Sequence, residues 1–141
     1  MTKRVLGFGV AGVVAFAAYA TTFAQAKSIN DGVYTAEQAK KGEATYKEQC
    51  AACHGDNLEG AGPMPALAGK DFLTQWTGKS VGDLFEKTHT SMPATAPGSL
   101  TPEQAAEVTA YQLQKSGYKE GTAPLDTKME ALLQIKIEPV K

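Results

Sequence analysis

The pentapeptide Cys50-Ala51-Ala52-Cys53-His54 constrains this chain more than any other stretch. Two cysteines three residues apart, followed directly by a histidine, form the C-x-x-C-H pattern for covalent attachment of a c-type haem. Positions i and i+3 share one face of a helical turn, so both thiols can reach the two vinyl groups of one macrocycle. His54 then lies beside the ring, where its imidazole can take one axial position on the iron.

Three other uses of the two cysteines compete with haem attachment. Two cysteines in an exported protein can form a disulfide, and a C-x-x-C dithiol of the thioredoxin type needs strand–helix alternation, which the sequence lacks. A structural zinc site takes four ligands, usually from two paired clusters. The cysteines and histidines of the chain are Cys50, Cys53, His54 and His89, with no second pair. Haem is favoured because an export signal and a downstream ligand candidate agree with it.

Residues 1–26 have the organisation of a secretory signal peptide. A basic start at Lys3 and Arg4 precedes an almost wholly apolar or small stretch over residues 5–20, and A-Q-A at 24–26 fits a cleavage site. We expect cleavage after residue 26 and a periplasmic location for the mature protein. The alternative is an uncleaved membrane anchor, although the apolar run is short of the roughly 20 residues that span a bilayer.

Residues 27–141 remain after this cleavage, which is enough for one monohaem domain. The removed segment carries two basic residues and no acidic residue, so the formal charge of −1 becomes −3. This mild acidity, without a basic block, gives no surface suited to nucleic acid. We expect membrane association only if the signal segment is retained.

Helix-start signals and apolar spacing predict an all-α protein with long loops. Thr35 followed by Gln38 is a capping box that opens a helix running to the first cysteine, and Ser80 with Asp83 opens another that ends near His89. A short helix over 71–76 and one turn within 127–130, followed by apolar tail residues that pack back on the body, complete the predicted elements. No stretch alternates convincingly enough to predict a strand.

The last long helix has the clearest start in the chain. Thr101 is a typical N-cap, Pro102 stands at the first helical position and Gln104 completes a capping box. The helix is predicted to run to about Ser116, where Gly117 provides a left-handed stop.

Gly42 and Tyr46 lie four residues apart on one face of the first helix. A glycine inside a helix costs about 1 kcal/mol relative to alanine, so it more often marks close packing than chance. We therefore expect the last helix to cross the first one there, with the face that includes Val108 and Tyr111.

The second axial position of the iron has four candidate ligands, which are Met64, Met92, Met129 and His89. Met92 is favoured, because it lies in a loop between two helices and is followed by a rigid proline. Met64 is close in sequence to His54 and is expected to pack beside the haem. His89 is the serious rival, although a solvent-facing histidine at a helix end also suits the helix dipole.

Five short motifs follow one another along the chain. They are Cys50-x-x-Cys53-His54-Gly55, Pro65-Ala66-Leu67-Ala68-Gly69, Ser91-Met92-Pro93, Pro97-Gly98-Ser99-Leu100 and Ala110-Tyr111. Over about residues 34–125 this set resembles class I c-type cytochromes, and most closely the bacterial monohaem cytochromes that accompany periplasmic quinoprotein dehydrogenases. The resemblance implies the cytochrome c fold, a small helical bundle whose first and last helices cross around one covalently bound haem.

The resemblance also implies roles for individual residues. Cys50 and Cys53 would carry the two thioethers, His54 would be the proximal ligand and Met92 the distal one. Pro65 falls where a proline carbonyl of the family commonly accepts a hydrogen bond from the proximal histidine.

Trp76 resembles the tryptophan that the family places near a haem propionate. An ordinary core tryptophan is the alternative interpretation of this residue.

An iron with both axial positions filled has no open site for oxygen or peroxide, so the Fe(II)/Fe(III) couple is what remains. We expect a periplasmic single-electron carrier that is not an enzyme and docks transiently to redox proteins. A periplasmic dehydrogenase as donor and a terminal oxidase or another cytochrome as acceptor are the expected partners. The alternatives are a dedicated haem subunit of a dehydrogenase or oxidase complex, and a gas-binding or catalytic haem protein.

Overall fold

The structure is a computed structural model that describes residues 27–141. The predicted signal peptide, residues 1–26, lies outside the described residues. Within them the chain forms two short strands, one 3₁₀ turn and six α-helices. In chain order these are β1 (Lys27–Ser28), the 3₁₀ turn (Ile29–Asp31), α1 (Ala36–Gln49), α2 (Ala51–His54), α3 (Gly69–Trp76), α4 (Val81–Ser91), α5 (Pro102–Lys115), α6 (Met129–Leu132) and β2 (Ile135–Lys136).

The mostly helical architecture confirms the predicted all-α fold class, with small differences in the ends of elements. Helix α3 begins at Gly69 rather than at residue 71, and α4 continues to Ser91 rather than ending near His89. Among the described residues, no helix combines the length and the apolar character needed to cross a membrane.

The crossing of α1 and α5 is the most extensive contact between elements. A Cβ atom built on Gly42 would lie 1.8 Å from the carbonyl oxygen of Glu107, so only glycine allows this approach of the two backbones. One turn further along α1, the ring of Tyr46 packs on Tyr111 with centroids 5.6 Å apart. The predicted crossing of the first helix and the last long helix is confirmed.

Reciprocal capping boxes define the starts of α4 and α5. Ser80 accepts from the backbone N–H of Asp83, whose carboxylate accepts from the backbone N–H of Ser80. Thr101 and Gln104 make the same pair of bonds at α5. After α5 the chain turns at Gly117 with φ of 95°, the left-handed conformation predicted for this stop.

The box predicted at α1 is only half formed. The Thr35 hydroxyl accepts from the backbone N–H of Gln38, as predicted. The side chain of Gln38 does not return to the cap. It accepts from the N–H of Leu125 at 2.7 Å and donates to the carbonyl oxygen of Leu125 at 3.0 Å. The prediction of a full box is therefore wrong, because the amide of Gln38 ties α1 to a distant segment instead.

The C-terminal tail packs back on the body, partly as predicted. Leu132 and Ile137 are buried, whereas Leu133, which was expected to pack with them, is 46% exposed. Two residues of the tail pair in parallel with the first described residues, Lys27 opposite Ile135. This strand pair was not predicted, since two residues are too few to show alternation.

Candidate functional site

One cleft brings together most of the residues that the sequence predicted for the haem site. It holds about 700 Å³ of space not filled by atoms, including open solvent at its mouth. The exposed surface of its walls is mostly apolar. The lining residues are Gln49, Cys50, Cys53, His54, Met64, Pro65, Leu67, Thr88, Met92, Pro93, Ala94, Thr95, Val108 and Gln112. One segment provides two thiols and an imidazole, and two other segments each provide a methionine thioether. This set of groups suits a flat, largely apolar cofactor such as haem.

Cys50 lies at the junction between α1 and α2, and Cys53 lies within α2. Cys50 is buried, Cys53 is exposed, and no disulfide joins them. Burial raises the pKa of the Cys50 thiol to about 11, with the neighbouring Cys53 as a second cause. The zinc alternative lacks a ligand set, because residues 27–141 contain no grouping of three His, Cys, Asp or Glu side chains that could hold a metal ion.

His54 is buried at the end of α2, and its ring is oriented by a hydrogen bond. The Nδ1 atom lies 2.8 Å from the carbonyl oxygen of Pro65. Because a carbonyl oxygen can only accept, this contact requires the hydrogen on Nδ1, and in the neutral imidazole it leaves Nε2 with its lone pair. Nε2 is then the atom through which His54 can coordinate a metal.

The loop that carries Pro65 is fixed by hydrogen bonds within itself and to the two helices before it. The N–H of Gly60 donates to the carbonyl oxygen of His54, and Leu67 donates to Leu58, both at 2.8 Å. The hydroxyl of Tyr46 donates to the carbonyl oxygen of Gly55 at 2.6 Å. This long glycine- and proline-rich segment is therefore a structured part of the cleft wall.

The four candidates for the second axial ligand occupy different surroundings. Met92, directly after α4, and Met64 both line the cleft, and Met64 is 40% exposed. His89 is not among the lining residues, because its ring stacks on Phe85 with centroids 5.6 Å apart and planes 24° apart. Met129 packs against the main core. Two methionines therefore face the cleft, and the histidine rival does not.

Trp76 is not brought together with the other predicted site residues. Its ring lies 6.2 Å from that of Phe72, at the edge of the main core. The ammonium group of Lys79 sits 4.6 Å from the centre of the ring, a cation–π contact. These are the contacts of the core tryptophan that stood as the alternative.

Three buried lining residues were not predicted as part of the site, and they are Thr88, Val108 and Gln112. Val108 and Gln112 lie four residues apart on α5, on the face predicted to cross α1. Gln112 had a usable signal in the sequence, since a polar residue on an otherwise apolar helix face is more informative than another apolar one.

Comparison with known proteins identifies the family. Residues 37–111 match a family model described as cytochrome c oxidase, cbb3-type, subunit III. The matched range is just over half of the chain and includes the C-x-x-C-H motif and Met92. The chain belongs to this family. It is a class I c-type cytochrome, as the order of motifs predicted, and hence a haem protein of electron transfer.

A solved structure has the same fold. It is a chain of the sulfane dehydrogenase SoxCD from Paracoccus pantotrophus, with a TM-score of 0.53 and 24% sequence identity over 94% of this chain and 68% of that chain. At this level of identity the likeness shows the fold alone. No curated protein matches the chain at a significant level.

Proposed function

We propose that this c-type cytochrome is a periplasmic single-electron carrier rather than an enzyme. One haem would be joined through thioethers to Cys50 and Cys53, with His54 and Met92 as its axial ligands. The observation that carries the proposal is that all four side chains line one apolar cleft. A bound haem supplies a one-electron Fe(II)/Fe(III) couple there, and an axial methionine raises its potential.

His54 is suited to the proximal position because its contact with Pro65 fixes both the tautomer and the orientation of the ring. Hydrogen bonds of this kind to the far nitrogen of a ligating histidine orient it and increase its basicity. The buried Tyr46 and the loop bonds around Gly55 hold the backbone of His54 in place.

The contacts of the three candidates favour Met92 as the distal ligand. It follows the last turn of α4 and precedes the buried Pro93, so the backbone on both sides is constrained. His89 is engaged with Phe85 outside the cleft lining. Met64 lines the cleft but comes from the same loop as Pro65, the partner of His54, and is the more exposed methionine.

An electron carrier also needs to keep water away from its redox centre, and the apolar walls of the cleft serve this purpose. Leu67 and Val108 line the cleft, and Cys50 and Leu58 belong to a small apolar cluster with Tyr46 and Tyr111 behind it. Such walls keep water away from the redox centre, and both burial and axial ligation are among the means by which a protein sets a haem potential. The cleft mouth leaves an opening where a redox partner can approach.

The proposed electron donor is a periplasmic dehydrogenase, and the proposed acceptor a terminal oxidase or another cytochrome. Export by a signal peptide ending at residue 26 is part of this proposal. The mature protein from its own host should begin at Lys27 in mass spectrometry. An intact Met1 would instead indicate a membrane-tethered carrier.

A dedicated haem subunit of a larger complex is the second candidate function. The family description, which names an oxidase subunit, favours it. Gel filtration of gently prepared periplasm separates the two functions. A free carrier elutes at the size of a small monomeric domain, whereas a subunit elutes with a larger partner.

Covalent haem retention tests the proposed function. The Cys50→Ser and Cys53→Ser variants should each weaken it, and the double variant should abolish haem staining of the denatured polypeptide. Ala52→Ser is the matched control within the same turn and should leave staining unchanged. Undiminished staining of the double variant would contradict the proposal.

A further inference from the structure

Gln112 is a buried polar residue of the cleft wall to which the proposed function assigns no role. Its side chain is 3% exposed and lines the cleft. Its Oε1 atom has no hydrogen-bond partner among the described residues. Buried polar side chains in native proteins are nearly always hydrogen-bonded, so an unpaired one requires an explanation.

The other buried polar side chains of the cleft already have partners within the protein. His54 is bonded through Nδ1 to the carbonyl oxygen of Pro65. The hydroxyl of Thr88 donates to the carbonyl oxygen of Leu84 at 3.0 Å. Gln112 is the remaining buried polar side chain of the cleft lining, and its Oε1 atom has no hydrogen-bond partner among the described residues.

We propose that Gln112 is a further residue of the haem site, whose carboxamide makes a hydrogen bond inside the cleft and lowers the reduction potential. This inference rests on the proposed function. The partner of the carboxamide is the cofactor itself or a water lying against it, and both meet the same requirement. Because a flip of the amide exchanges donor and acceptor, the side chain can turn its oxygen toward the positive charge of the oxidised haem.

The direction of the effect follows from charge. Oxidation adds one positive charge to the iron, and a low-dielectric wall disfavours the more highly charged state. A carboxamide and its hydrogen-bond partner can orient their dipoles to stabilise that charge. Removing the amide therefore makes the wall less polar and moves the midpoint potential to more positive values.

The matched pair Gln112→Met and Ser116→Ala tests the inference on the haem-loaded protein. Methionine keeps the length of glutamine without its polar atoms. Ser116 lies one turn further along the chain, is also buried with an unpartnered hydroxyl oxygen, and does not line the cleft. Potentiometric titration should show a positive shift for Gln112→Met, a smaller one for Gln112→Asn, and none for Ser116→Ala. An unchanged or more negative potential in Gln112→Met, or an equal shift in Ser116→Ala, would overturn the inference.

A measurement on the unaltered protein covers the case in which Gln112→Met does not accumulate. In the reduced, diamagnetic state, the side-chain amide protons of Gln112 should exchange slowly with solvent. A nuclear Overhauser contact to a haem proton indicates direct bonding, and a contact to a long-lived water indicates a bridged one. Fast exchange with neither contact would contradict the proposed hydrogen bond.

Failure of this inference and failure of the proposed function give different results. Absence of covalent haem from the unaltered protein contradicts the function. A fully loaded Gln112→Met protein with an unaltered absorption spectrum and potential contradicts the role of Gln112 alone.

Discussion

The missing side chain at Gly42 sets how closely α1 and α5 approach. A Cβ there would lie 1.8 Å from the carbonyl oxygen of Glu107 and 2.3 Å from its carbonyl carbon, and both are backbone atoms that cannot rotate away. We predict that Gly42→Ala forces the helices apart and lowers the free energy of unfolding by roughly 3 kcal/mol or more.

Denaturant unfolding of the haem-loaded protein measures this loss. Ala44→Gly, at an exposed position of the same helix, is the control, with an expected loss of about 1 kcal/mol from helix propensity alone. Similar losses in the two variants would show that the close approach at Gly42 does not limit the packing of α1 on α5.

Ionisation of Tyr34 makes the stability of the fold depend on pH in the alkaline range. Burial, with a smaller contribution from the charge of Glu120, raises the pKa of Tyr34 to about 12, and its hydroxyl donates to the carbonyl oxygen of Tyr118. The ordinary pKa of tyrosine, about 10, applies to the unfolded chain. The stability that Tyr34 contributes is therefore complete below pH 10 and is lost as the pH rises through about 12.

The Tyr34→Phe variant isolates this titration. It should be less stable than the unaltered protein at neutral pH, because the carbonyl oxygen of Tyr118 loses its donor. The difference between the two proteins should shrink between pH 10 and 12 in urea unfolding at a series of pH values. A difference that stays constant across this window would refute the buried-phenol interpretation.

Individual residues differ in how far the sequence alone could place them. The roles of Gly42 and Gly117 were predictable, because a helical glycine and a left-handed stop are local constraints on backbone. The sequence marks Gln112 as a polar residue on an apolar helix face. It does not place Gln112 or Trp76 relative to the cleft, because that depends on how α5 and α3 are oriented in the whole fold. Trp76 sits against Phe72 and Lys79 instead of the cleft.

Helix α1 is attached to the chain after α5 through one side chain. Gln38 bonds both backbone groups of Leu125, at 2.7 and 3.0 Å. We predict that Gln38→Met, which removes both bonds and keeps the bulk, speeds hydrogen exchange of the Leu125 amide by at least about tenfold, the effect of roughly 1.4 kcal/mol of local stability.

Thr35→Ala is the control for this experiment. It removes the N-cap bond of the same helix and should lower the global free energy of unfolding by about 1 kcal/mol. It should leave the Leu125 amide protected relative to its neighbours. Equal acceleration in the two variants would mean that the attachment is no more than a consequence of helix stability.

The helix starts show why some elements were predictable and their partners were not. The boxes at Ser80 and Thr101 depend on residues three positions apart, so local sequence specifies them. At Thr35 the same pattern was present, yet Gln38 bonds a segment 87 residues away. The pairing of β1 with β2 depends on contacts between opposite ends of the described chain in the same way.

Two segments that contribute to the cleft lining carry no charged side chain. Residues 60–69 and 88–102 contain no Asp, Glu, Lys or Arg, and both contribute lining residues. We therefore predict that electron transfer to a redox partner depends weakly on ionic strength, with the rate constant changing by less than about tenfold, unlike electrostatically steered association.

Stopped-flow measurement of the electron-transfer rate at salt concentrations from about 0.02 to about 0.5 M tests this prediction. Above about 0.1 M the Debye length is below 10 Å, so attraction between exposed charges is screened. Ala94→Lys is the matched variant, because it places a charge on an exposed lining residue. It should introduce a salt dependence that the unaltered protein lacks. A steep loss of rate with salt in the unaltered protein would indicate docking through another, charged surface.

For the molecule as a whole, the sequence predicted the family, the helical fold and the residue types of the site. The motif from Cys50 to His54 is five consecutive residues, so the sequence alone indicates its chemistry. The meeting of His54 and Met92 in one cleft depends on the crossing of α1 with α5 and on the placement of α4. In that arrangement Met92 lines the cleft, whereas the ring of His89 stacks on Phe85.

The ligand set of the iron is the central claim, and the sulfur-to-iron(III) charge-transfer absorption of the oxidised protein tests it most directly. The band should be present in the unaltered protein and in the Met64→Leu and His89→Ala variants. It should be absent from Met92→Leu, together with a fall in the midpoint potential. A band that survives Met92→Leu, or that disappears with Met64 or His89 instead, would contradict His54 and Met92 as the axial pair.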